Sequence, residues 1–437
     1  MIKKQKKIKA QKDRISHFEK ALQVKEQATN KDAIAKVAEQ IASFDPYDQN
    51  LSAPFFESEW MFGLTDGFDI VIGNPPYGFR TVLSKDEKDY FRKVKQIEFS
   101  SGDSAELFCK ISFNQFVKTS GILTFIIPKK SLYGDAWEDL RLNYWKKFDL
   151  AFILDTGKSF ENVLLEASVF GLIKSSSNRK VELAFLESDL TIQKFENTQK
   201  EFFFLENNTC QIYKVLYPVS LFQKIKTNSF DSKKITTKLG LAIGQDFFSE
   251  TKTKHKLLKG IDVEKYNVRS HRYLKNFEKL KWENVAAFQK PKVITQVIVS
   301  HIENPNPHLK IIACYDAEGI AITNTLMAFE TDNDIDLKFL LGYLNSKFVS
   351  WYAYNFIYSQ AIRTMHFYDF YIQQLPVPKV AIKDQKPFIT LVDKILSAKE
   401  ENAKADTSKL EKQIDEMVYK LYELTEEEVQ IIEGKKN

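Results

Sequence analysis

The sequence predicts an α/β fold, with a partial doubly wound sheet followed by a mixed α+β region and closing helices. An apolar run at 68–72 stops at Asn-Pro-Pro-Tyr (74–77) between two glycines. Strand-like and helix-like stretches then alternate as far as Lys174, which is the rhythm of a doubly wound sheet. Beyond residue 236, short strand-like runs are separated by turn clusters, and helical patterns follow Pro378.

The Asn-Pro-Pro-Tyr segment is the most informative local feature. The run at 68–72 is short and β-branched, so it predicts a strand buried on both faces of the sheet. Pro75 and Pro76 cannot donate to a strand ladder, so Asn74 and Tyr77 are expected to project beyond the strand's carboxyl end, where open α/β sheets bind ligands. An amide oxygen beside a backbone carbonyl suits an exocyclic amine, and the tyrosine ring suits a flat base. Pro-Pro-Tyr also occurs in ordinary turns and in groove ligands, but the apolar run before it favours a ligand site.

The remaining elements follow from periodicity and turn residues. The patterns predict helices at 105–119 and 137–145, and strands at 122–128, 151–155, 168–174, 292–299, 309–314 and 320–323. Ser120 and Gly121 predict the end of the first helix, and Pro128 ends the strand after it. Turn clusters at 303–307 and 316–319 separate the later strands, and two closing helices are expected.

Composition bounds the class of protein. At 437 residues the chain exceeds one ordinary core, so two domains with accessory helices are expected. The net charge of +5 is modest, but residues 1–36 are rich in lysine, which suits either a phosphate-attracting segment or a solvated helix face. Cys109, Cys210 and Cys314 form no C-x-x-C pair and are typical of reduced core residues in a cytosolic protein. No stretch is apolar enough to predict a membrane span.

The motif FDIVIGNPPYG (68–78) resembles motif IV of the N6-adenine DNA methyltransferases. The chain more closely resembles the type IIG restriction-modification methylases, whose C-terminal half is a TaqI-like specificity domain. Similarity continues, in the family's order, through three segments near the motif, at 44–67, 104–132 and 152–175. It extends to three later segments, LGYLNSKFVSWYAY, QQLPVPK and IDEMVYKLYELTEEEVQIIE. The resemblance implies a partial methyltransferase sheet, a target-recognition domain and C-terminal helices.

Five segments are predicted on this basis. They are a basic helical segment at 1–43, the C-terminal half of a methyltransferase catalytic domain at 44–177, a connector at 178–235, a target-recognition domain at 236–380 and C-terminal helices at 381–437.

The resemblance also implies roles for individual residues. The Asn74 side-chain oxygen and the Pro75 carbonyl would accept hydrogen bonds from the adenine amino group, with Pro76 completing the turn. Tyr77 and Phe160 would stack on the two faces of a base flipped out of the duplex.

Contacts to the methyl donor and to DNA are implied elsewhere in the chain. The segment Glu106-Leu107-Phe108 stands where the family shows Asp-Leu-Tyr, which weakens the expectation of donor contacts there. Candidate DNA contacts are Arg269, Arg272, Lys290 and Arg363, because arginine commonly reads guanine and basic side chains bind phosphates. The six histidines form no metal-ligand spacing, and direct methyl transfer needs no metal.

In the family, S-adenosyl-L-methionine is held by a glycine-rich turn on strands that precede the NPPY strand. The first glycine of this chain is Gly63, so a partner chain carrying the donor-binding half is expected. Three alternatives stay open: a subunit of a split methylase, a remnant of a broken gene, and a non-catalytic DNA-binding specificity module. Double-stranded DNA is the expected ligand both of a methylase subunit and of a specificity module.

Overall fold

The computed structural model describes most of the chain from residue 58 onwards. The described residues are 58, 62–78, 84–93, 96–98, 100–158, 165–187, 189–204, 209–230, 234–363 and 365–435. The basic segment predicted at 1–43 and the predicted stacking residue Phe160 lie outside these residues.

The first sheet contains six strands among the described residues. They are β1 Phe68–Gly73, β2 Val117–Pro128, β3 Asp149–Lys158, β4 Glu166–Ile173, β5 Val181–Leu186 and β6 Ile192–Thr198. Their spatial order is β1-β2-β4-β3-β5-β6. The β1/β2 and β3/β5 pairs are parallel and the other pairs are antiparallel. The predicted α/β class is confirmed, and the carboxyl ends of β1, β2 and β3 meet at one edge of the sheet.

Strands β5 and β6 lie in the stretch 178–235 that the sequence assigns to a connector. Backbone pairing joins them to the first sheet instead, since Ile153 of β3 pairs with Leu183 of β5. Short, mixed segments with many polar residues predict a connector, but only the three-dimensional pairing shows which sheet they extend.

Ser120 and Gly121 do not end a helix, as the sequence predicts, but lie inside β2. The helix before them ends at Ile111 and is followed by a π-helical turn, Ser112–Phe116. Ser120 has a φ of 63°, and the pairing with β1 shifts register here, which is a bulge in the strand. Gly121 is required because a Cβ atom would lie 2.8 Å from the Phe68 carbonyl oxygen.

The expectation that β1 is buried on both faces is wrong. Val71 packs against the main core, but Ile70 and Ile72 on the opposite face are 64% and 77% exposed. The reason is position: β1 is the edge strand of the sheet in the described part of the chain, and no described element covers that face.

The α-helices of the described residues lie in both halves of the chain, and the last of them close it. They are α1 Lys85–Lys93, α2 Ser104–Ile111, α3 Lys130–Tyr133, α4 Glu138–Leu140, α5 Lys200–Phe203, α6 Val219–Thr227, α7 Trp282–Ala286, α8 Leu337–Leu344, α9 Lys347–Tyr352, α10 Asp369–Ile372, α11 Lys386–Glu401, α12 Ser408–Leu421 and α13 Glu426–Ile432. Three helices follow Pro378 rather than two, because Thr425 and Glu428 form a capping box that starts α13. Among the described helices, none combines the length and apolar character that a membrane span requires.

In the second half of the chain, the described residues form four small sheets of mixed topology. Its strands are β7 Ile235–Leu239, β8 Phe248–Ser249, β9 Lys256–Leu258, β10 Val263–Glu264, β11 Asn267–Val268, β12 Arg272–Leu274, β13 Lys292–Gln296, β14 Ile298–Ile302, β15 His308–Lys310, β16 Ala313–Asp316, β17 Ala321–Ile322, β18 Leu326–Thr331 and β19 Met365–His366. The sheets of the described residues are β17-β9-β12-β8, β16-β13-β18-β7, β15-β14-β19 and β10-β11. The strand runs expected near 292–299, 309–314 and 320–323 are confirmed, with turns between them.

One hydrophobic core joins the two halves. The cluster that contains Leu123 and Phe170 of the first sheet also contains Val299 of β14, Phe348 of α9 and Val418 of α12. The second half is therefore packed directly onto the first sheet, which brings the segment before β19 to the sheet's carboxyl edge.

Candidate active site

The Asn-Pro-Pro-Tyr turn leaves β1 at the carboxyl edge of the sheet and is fixed to the start of α2. The Ser104 hydroxyl donates to the Pro76 carbonyl at 2.6 Å. Asp103 caps α2 by accepting from the Ala105 N–H at 3.0 Å, and the same carboxylate oxygen accepts from the Gly78 N–H at 3.2 Å. The predicted position of the turn is confirmed, and its backbone is held by a capped helix end.

Within the turn, the four residues differ in exposure. Asn74 and Pro76 are exposed, Pro75 is buried and Tyr77 is half-buried. The Tyr77 hydroxyl donates to the Ile126 carbonyl of β2 at 2.8 Å. Burial, and then the nearby Asp103 carboxylate, raises the pKa of Tyr77 to about 12, so its phenol is neutral at physiological pH. The ring is therefore an anchored aromatic face, and the Asn74 amide is open to an external ligand.

A cleft of about 590 Å³ opens beside Tyr77. One wall comes from the carboxyl edge of the sheet and the other from the segment around β19. Its aromatic and cationic lining includes Tyr77, Lys130, Trp137, Tyr358, Arg363 and Tyr368. A larger cavity of about 930 Å³ lies between β15, α9 and α13, but it is lined by no residue of the turn. The smaller cleft is the candidate site because it adjoins the turn and joins both halves of the chain.

A buried charge cluster forms the floor of this cleft. Lys129 follows β2 and is 3% exposed; its Nζ lies 2.9 Å from Asp155 Oδ2 and 3.4 Å from Glu166 Oε1. The Tyr213 hydroxyl donates to Asp155 Oδ2 at 2.6 Å. Burial alone would lower the pKa of Lys129, but Asp155 and Glu166 outweigh it and raise that pKa, so the lysine is charged. Glu166 also reaches the second half, since its Oε2 accepts from the Ile362 N–H at 3.0 Å.

Of the predicted DNA contacts, the structure brings only Arg363 into the cleft. Arg269 lies 3.4 Å from Glu264, and the Arg272 Nε lies 3.9 Å from Asp262.

Lys290 lies elsewhere as well, on the segment before β13, where its Nζ contacts Glu330 at 2.7 Å. These three side chains are partly exposed but lie apart from the cleft lining.

The residues expected to contact the donor lie on α2 and differ in accessibility. The Glu106 carboxylate is fully buried, pairs with Lys110 at 2.6 Å and accepts from the Ser101 N–H at 2.8 Å. Leu107 is buried, and only Phe108 is exposed. The Glu106 carboxylate is therefore occupied by Lys110 and the Ser101 N–H and is not accessible to S-adenosyl-L-methionine.

Several cleft residues were not singled out from the sequence. Lys129 and Lys130 follow the carboxyl end of β2, so the rule that parallel strand ends converge could have identified them. Glu166 and Tyr368 carry no such signal, because they reach the cleft through an antiparallel strand and through the folding of the second half.

Comparison with known proteins relates two parts of the chain to two known families. Residues 2–161 match the Eco57I restriction-modification methylase family, and residues 255–377 match the TaqI-like C-terminal specificity domain. The putative type II restriction enzyme and methyltransferase RM.MjaORFECS2P of Methanocaldococcus jannaschii is 26% identical over 390 residues, which cover 82% of this chain and 31% of the relative. The chain thus spans about a third of that protein's length.

Two solved structures are among those to which this chain is similar. The type IIL restriction-modification enzyme MmeI in complex with DNA has a TM-score of 0.50 at 10% identity, covering 84% of this chain and 57% of that chain. A nuclease-deletion mutant of the type ISP enzyme LlaGI with a DNA substrate mimic has a TM-score of 0.44 at 12% identity, covering 75% and 41%. The chain is therefore similar to the restriction-modification methylases: residues 2–161 match an Eco57I methylase segment, and residues 255–377 match a TaqI-like C-terminal specificity domain.

Proposed function

We propose that the chain supplies the target-base and specificity parts of a type IIG, site-specific N6-adenine DNA methyltransferase. The observation that carries the proposal is the Asn-Pro-Pro-Tyr turn at the carboxyl end of β1, beside an aromatic cleft shared with the specificity domain. The methyl group would come from S-adenosyl-L-methionine, and the acceptor would be an adenine flipped out of duplex DNA.

The turn suits the adenine amino group. Asn74 exposes a side-chain acceptor, and the Pro75 carbonyl follows it in a backbone that the Ser104 contact to Pro76 restrains. The two acceptors would bind the two hydrogens of the adenine amine. The lone pair of the amine nitrogen would then point out of the plane of the ring and toward a methyl donor. Tyr77 is held by Ile126, so its ring would stack without first losing conformational freedom. Extruding a base costs a few kcal/mol, which such stacking would partly offset.

The donor is proposed to be bound mainly by a partner chain. The exposed Ile70 and Ile72 side chains of β1, the edge strand among the described residues, support this, because an apolar face beside a strand edge suits sheet extension by another chain. Glu106 and Leu107 would then support α2 from inside, and Phe108 would be the side chain of that segment left to meet the donor.

DNA contact is proposed at two places. Arg363 would meet the nucleic acid in the cleft, and Arg269, Arg272 and Lys290 would meet the duplex from the specificity domain. Each of the latter three faces an acidic side chain within 4 Å, so DNA phosphates would have to compete with Glu264, Asp262 and Glu330.

The test is methyl transfer from radiolabelled S-adenosyl-L-methionine to duplex DNA, with the chain alone and with a donor-binding half. Activity is expected only with both, and Asn74→Ala should abolish it while leaving DNA affinity nearly unchanged, because affinity comes mainly from phosphate and groove contacts. Equal loss of methylation and DNA binding in the variant would count against the role of Asn74.

A non-catalytic specificity module is the second candidate. The four sheets that the described residues form in the second half favour this function, because they carry exposed basic residues. Binding DNA through such residues requires no methyl donor. Selection from randomised duplex DNA with the full chain would then enrich one short site, since each good base contact discriminates by about 1–3 kcal/mol. An enriched site without methyl transfer in any reconstitution would favour this second function.

A further inference from the structure

The segment that carries Arg363 has an unusual backbone. Ser359 and Gln360 both have left-handed φ values, 49° and 52°, although neither is glycine. Such residues persist only where surrounding contacts over-determine them, at a cost of about 1–3 kcal/mol each. We define residues 358–363 as the arginine loop.

Local hydrogen bonds hold the first part of this loop. The Gln360 N–H donates to the Tyr354 carbonyl at 2.8 Å, and the Gln360 side chain donates to Asn355 Oδ1 at 2.7 Å. The Ala361 N–H donates to the Tyr358 carbonyl at 3.0 Å. These contacts shape the loop but do not join it to the first sheet.

Glu166 makes that connection. One carboxylate oxygen faces Lys129, and the other accepts from the Ile362 N–H, which directly precedes Arg363. Lys129 is itself held by Asp155 and by a hydrogen bond from its own N–H to the Glu166 carbonyl at 2.9 Å. The charge cluster therefore ties the sheet's carboxyl edge to the arginine loop across 196 positions of sequence.

We propose that Glu166 is a positioning residue, which fixes the arginine loop to the first sheet and holds Arg363 in the cleft for a backbone phosphate of bound DNA. This inference rests on the proposed function for its ligand. The placement of the loop by Glu166 is a separate claim that can be measured without DNA.

The first measurement is hydrogen–deuterium exchange of the 358–366 segment in the full chain. In Glu166→Ala the Ile362 amide should exchange about tenfold faster, because it loses its acceptor. Glu166→Gln retains one acceptor oxygen, so exchange should lie between that variant and the wild type. If Glu166→Ala does not fold, the comparison of Glu166→Gln with the wild type still tests the positioning role. Unchanged exchange in both variants would overturn the positioning role.

The matched control is Asp316. It is buried, pairs with Lys292 and accepts from the Ile320 N–H at 2.7 Å, so it repeats the arrangement of Glu166 away from the cleft. Asp316→Asn should destabilise the fold but leave exchange at 358–366 unchanged. Faster exchange at the arginine loop in this control would mean that any core damage loosens the loop.

The second measurement is binding to fluorescein-labelled duplex DNA as a function of salt. Arg363→Ala should weaken binding and lower the salt slope by about 1, as expected for one lost phosphate contact. Glu166→Ala should do the same, and the double variant should bind no more weakly than Arg363→Ala. Additive losses would overturn the link between the two residues. If the wild-type chain does not bind duplex DNA, the proposed function fails, while the exchange result still decides the role of Glu166.

Discussion

At the scale of single residues, Tyr77 combines a structural and a proposed functional role. Its hydroxyl is occupied by the Ile126 carbonyl, so the ring face is the part that remains for a ligand. The two roles can be separated, because phenylalanine keeps the ring and loses only the hydrogen bond.

We expect Tyr77→Phe to lower the free energy of unfolding by about 1 kcal/mol and to change methyl transfer by only a few-fold. Tyr77→Ala removes the ring, and loss of stacking worth about 1–3 kcal/mol should lower kcat/KM about tenfold or more. Denaturant unfolding and single-turnover methylation check the two effects. Equal activity losses in both variants would show that the hydroxyl, rather than the ring, matters.

At the scale of elements, the start of α2 and the edge of β1 control the site. Asp103 and Ser104 hold the turn to α2 through Gly78 and Pro76. Asp103, which caps α2, and Ser104, which donates to the turn, are adjacent in sequence. The start of the helix and the turn therefore form one structural unit.

Ser104→Ala should cost about 1 kcal/mol of stability, because the buried hydroxyl is the hydrogen-bond donor to the Pro76 carbonyl. Thr390→Ala is the control, since the exposed Thr390 hydroxyl also donates to a backbone carbonyl, that of Lys386 at 3.0 Å. Urea denaturation should show a change within about 0.5 kcal/mol for this control. Methyl transfer should fall only in Ser104→Ala; a similar fall in both variants would contradict a specific support of the turn.

The face of β1 supplies a second prediction at this scale. Ile72→Lys should leave the stability of the chain within about 0.5 kcal/mol, because the side chain is 77% exposed. It should nevertheless weaken association with a donor-binding half, which analytical ultracentrifugation would measure. Val71→Lys, on the core-facing side of the same strand, should instead destabilise the chain itself. Unaltered association of Ile72→Lys would argue against the proposed partner surface.

At the scale of the whole molecule, one core runs from the first sheet to the C-terminal helices, so distant residues affect global stability. Asp415 of α12 is buried and accepts from the Lys347 N–H of α9 at 2.8 Å. Burial raises the pKa of Asp415 to about 6, although Lys347 and Lys265 act in the opposite direction.

A carboxyl pKa raised from 3.8 to about 6 means that the folded state holds its proton more strongly than the unfolded state. The contribution of Asp415 to stability therefore falls as pH rises from about 4 to 6 and stays low above that range. About 2 pH units at about 1.4 kcal/mol each give a change of about 3 kcal/mol.

Asp415→Asn should remove this dependence while its amide oxygen still accepts from Lys347. We expect the variant to be more stable than the wild type near pH 8, with the difference vanishing near pH 4. Urea unfolding across this range is the measurement. A constant difference between the two proteins at every pH would contradict the raised pKa.

Much of the local structure could be predicted from the sequence, because its causes are local. The apolar run before two prolines specifies β1 and the turn after it, and periodicity identifies β3, β4 and the strands near 292–323. The predicted end of a helix at Ser120 failed because a bulge and a helix end use the same small residues. Burial of β1 failed for a related reason, since a pattern shows that a strand is apolar but not whether another element covers it.

The amino-acid sequence was enough to predict the α/β class, the turn at the carboxyl end of β1 and, by resemblance, the similarity to the methylases. These depend on neighbouring residues, on strand periodicity and on the stiffness of proline. The three-dimensional fold was needed to show that Glu166 faces both Lys129 and the arginine loop, and that Arg363 rather than Arg269 lies in the cleft. Such contacts join residues far apart in the chain, so their formation depends on how the two halves pack onto one core.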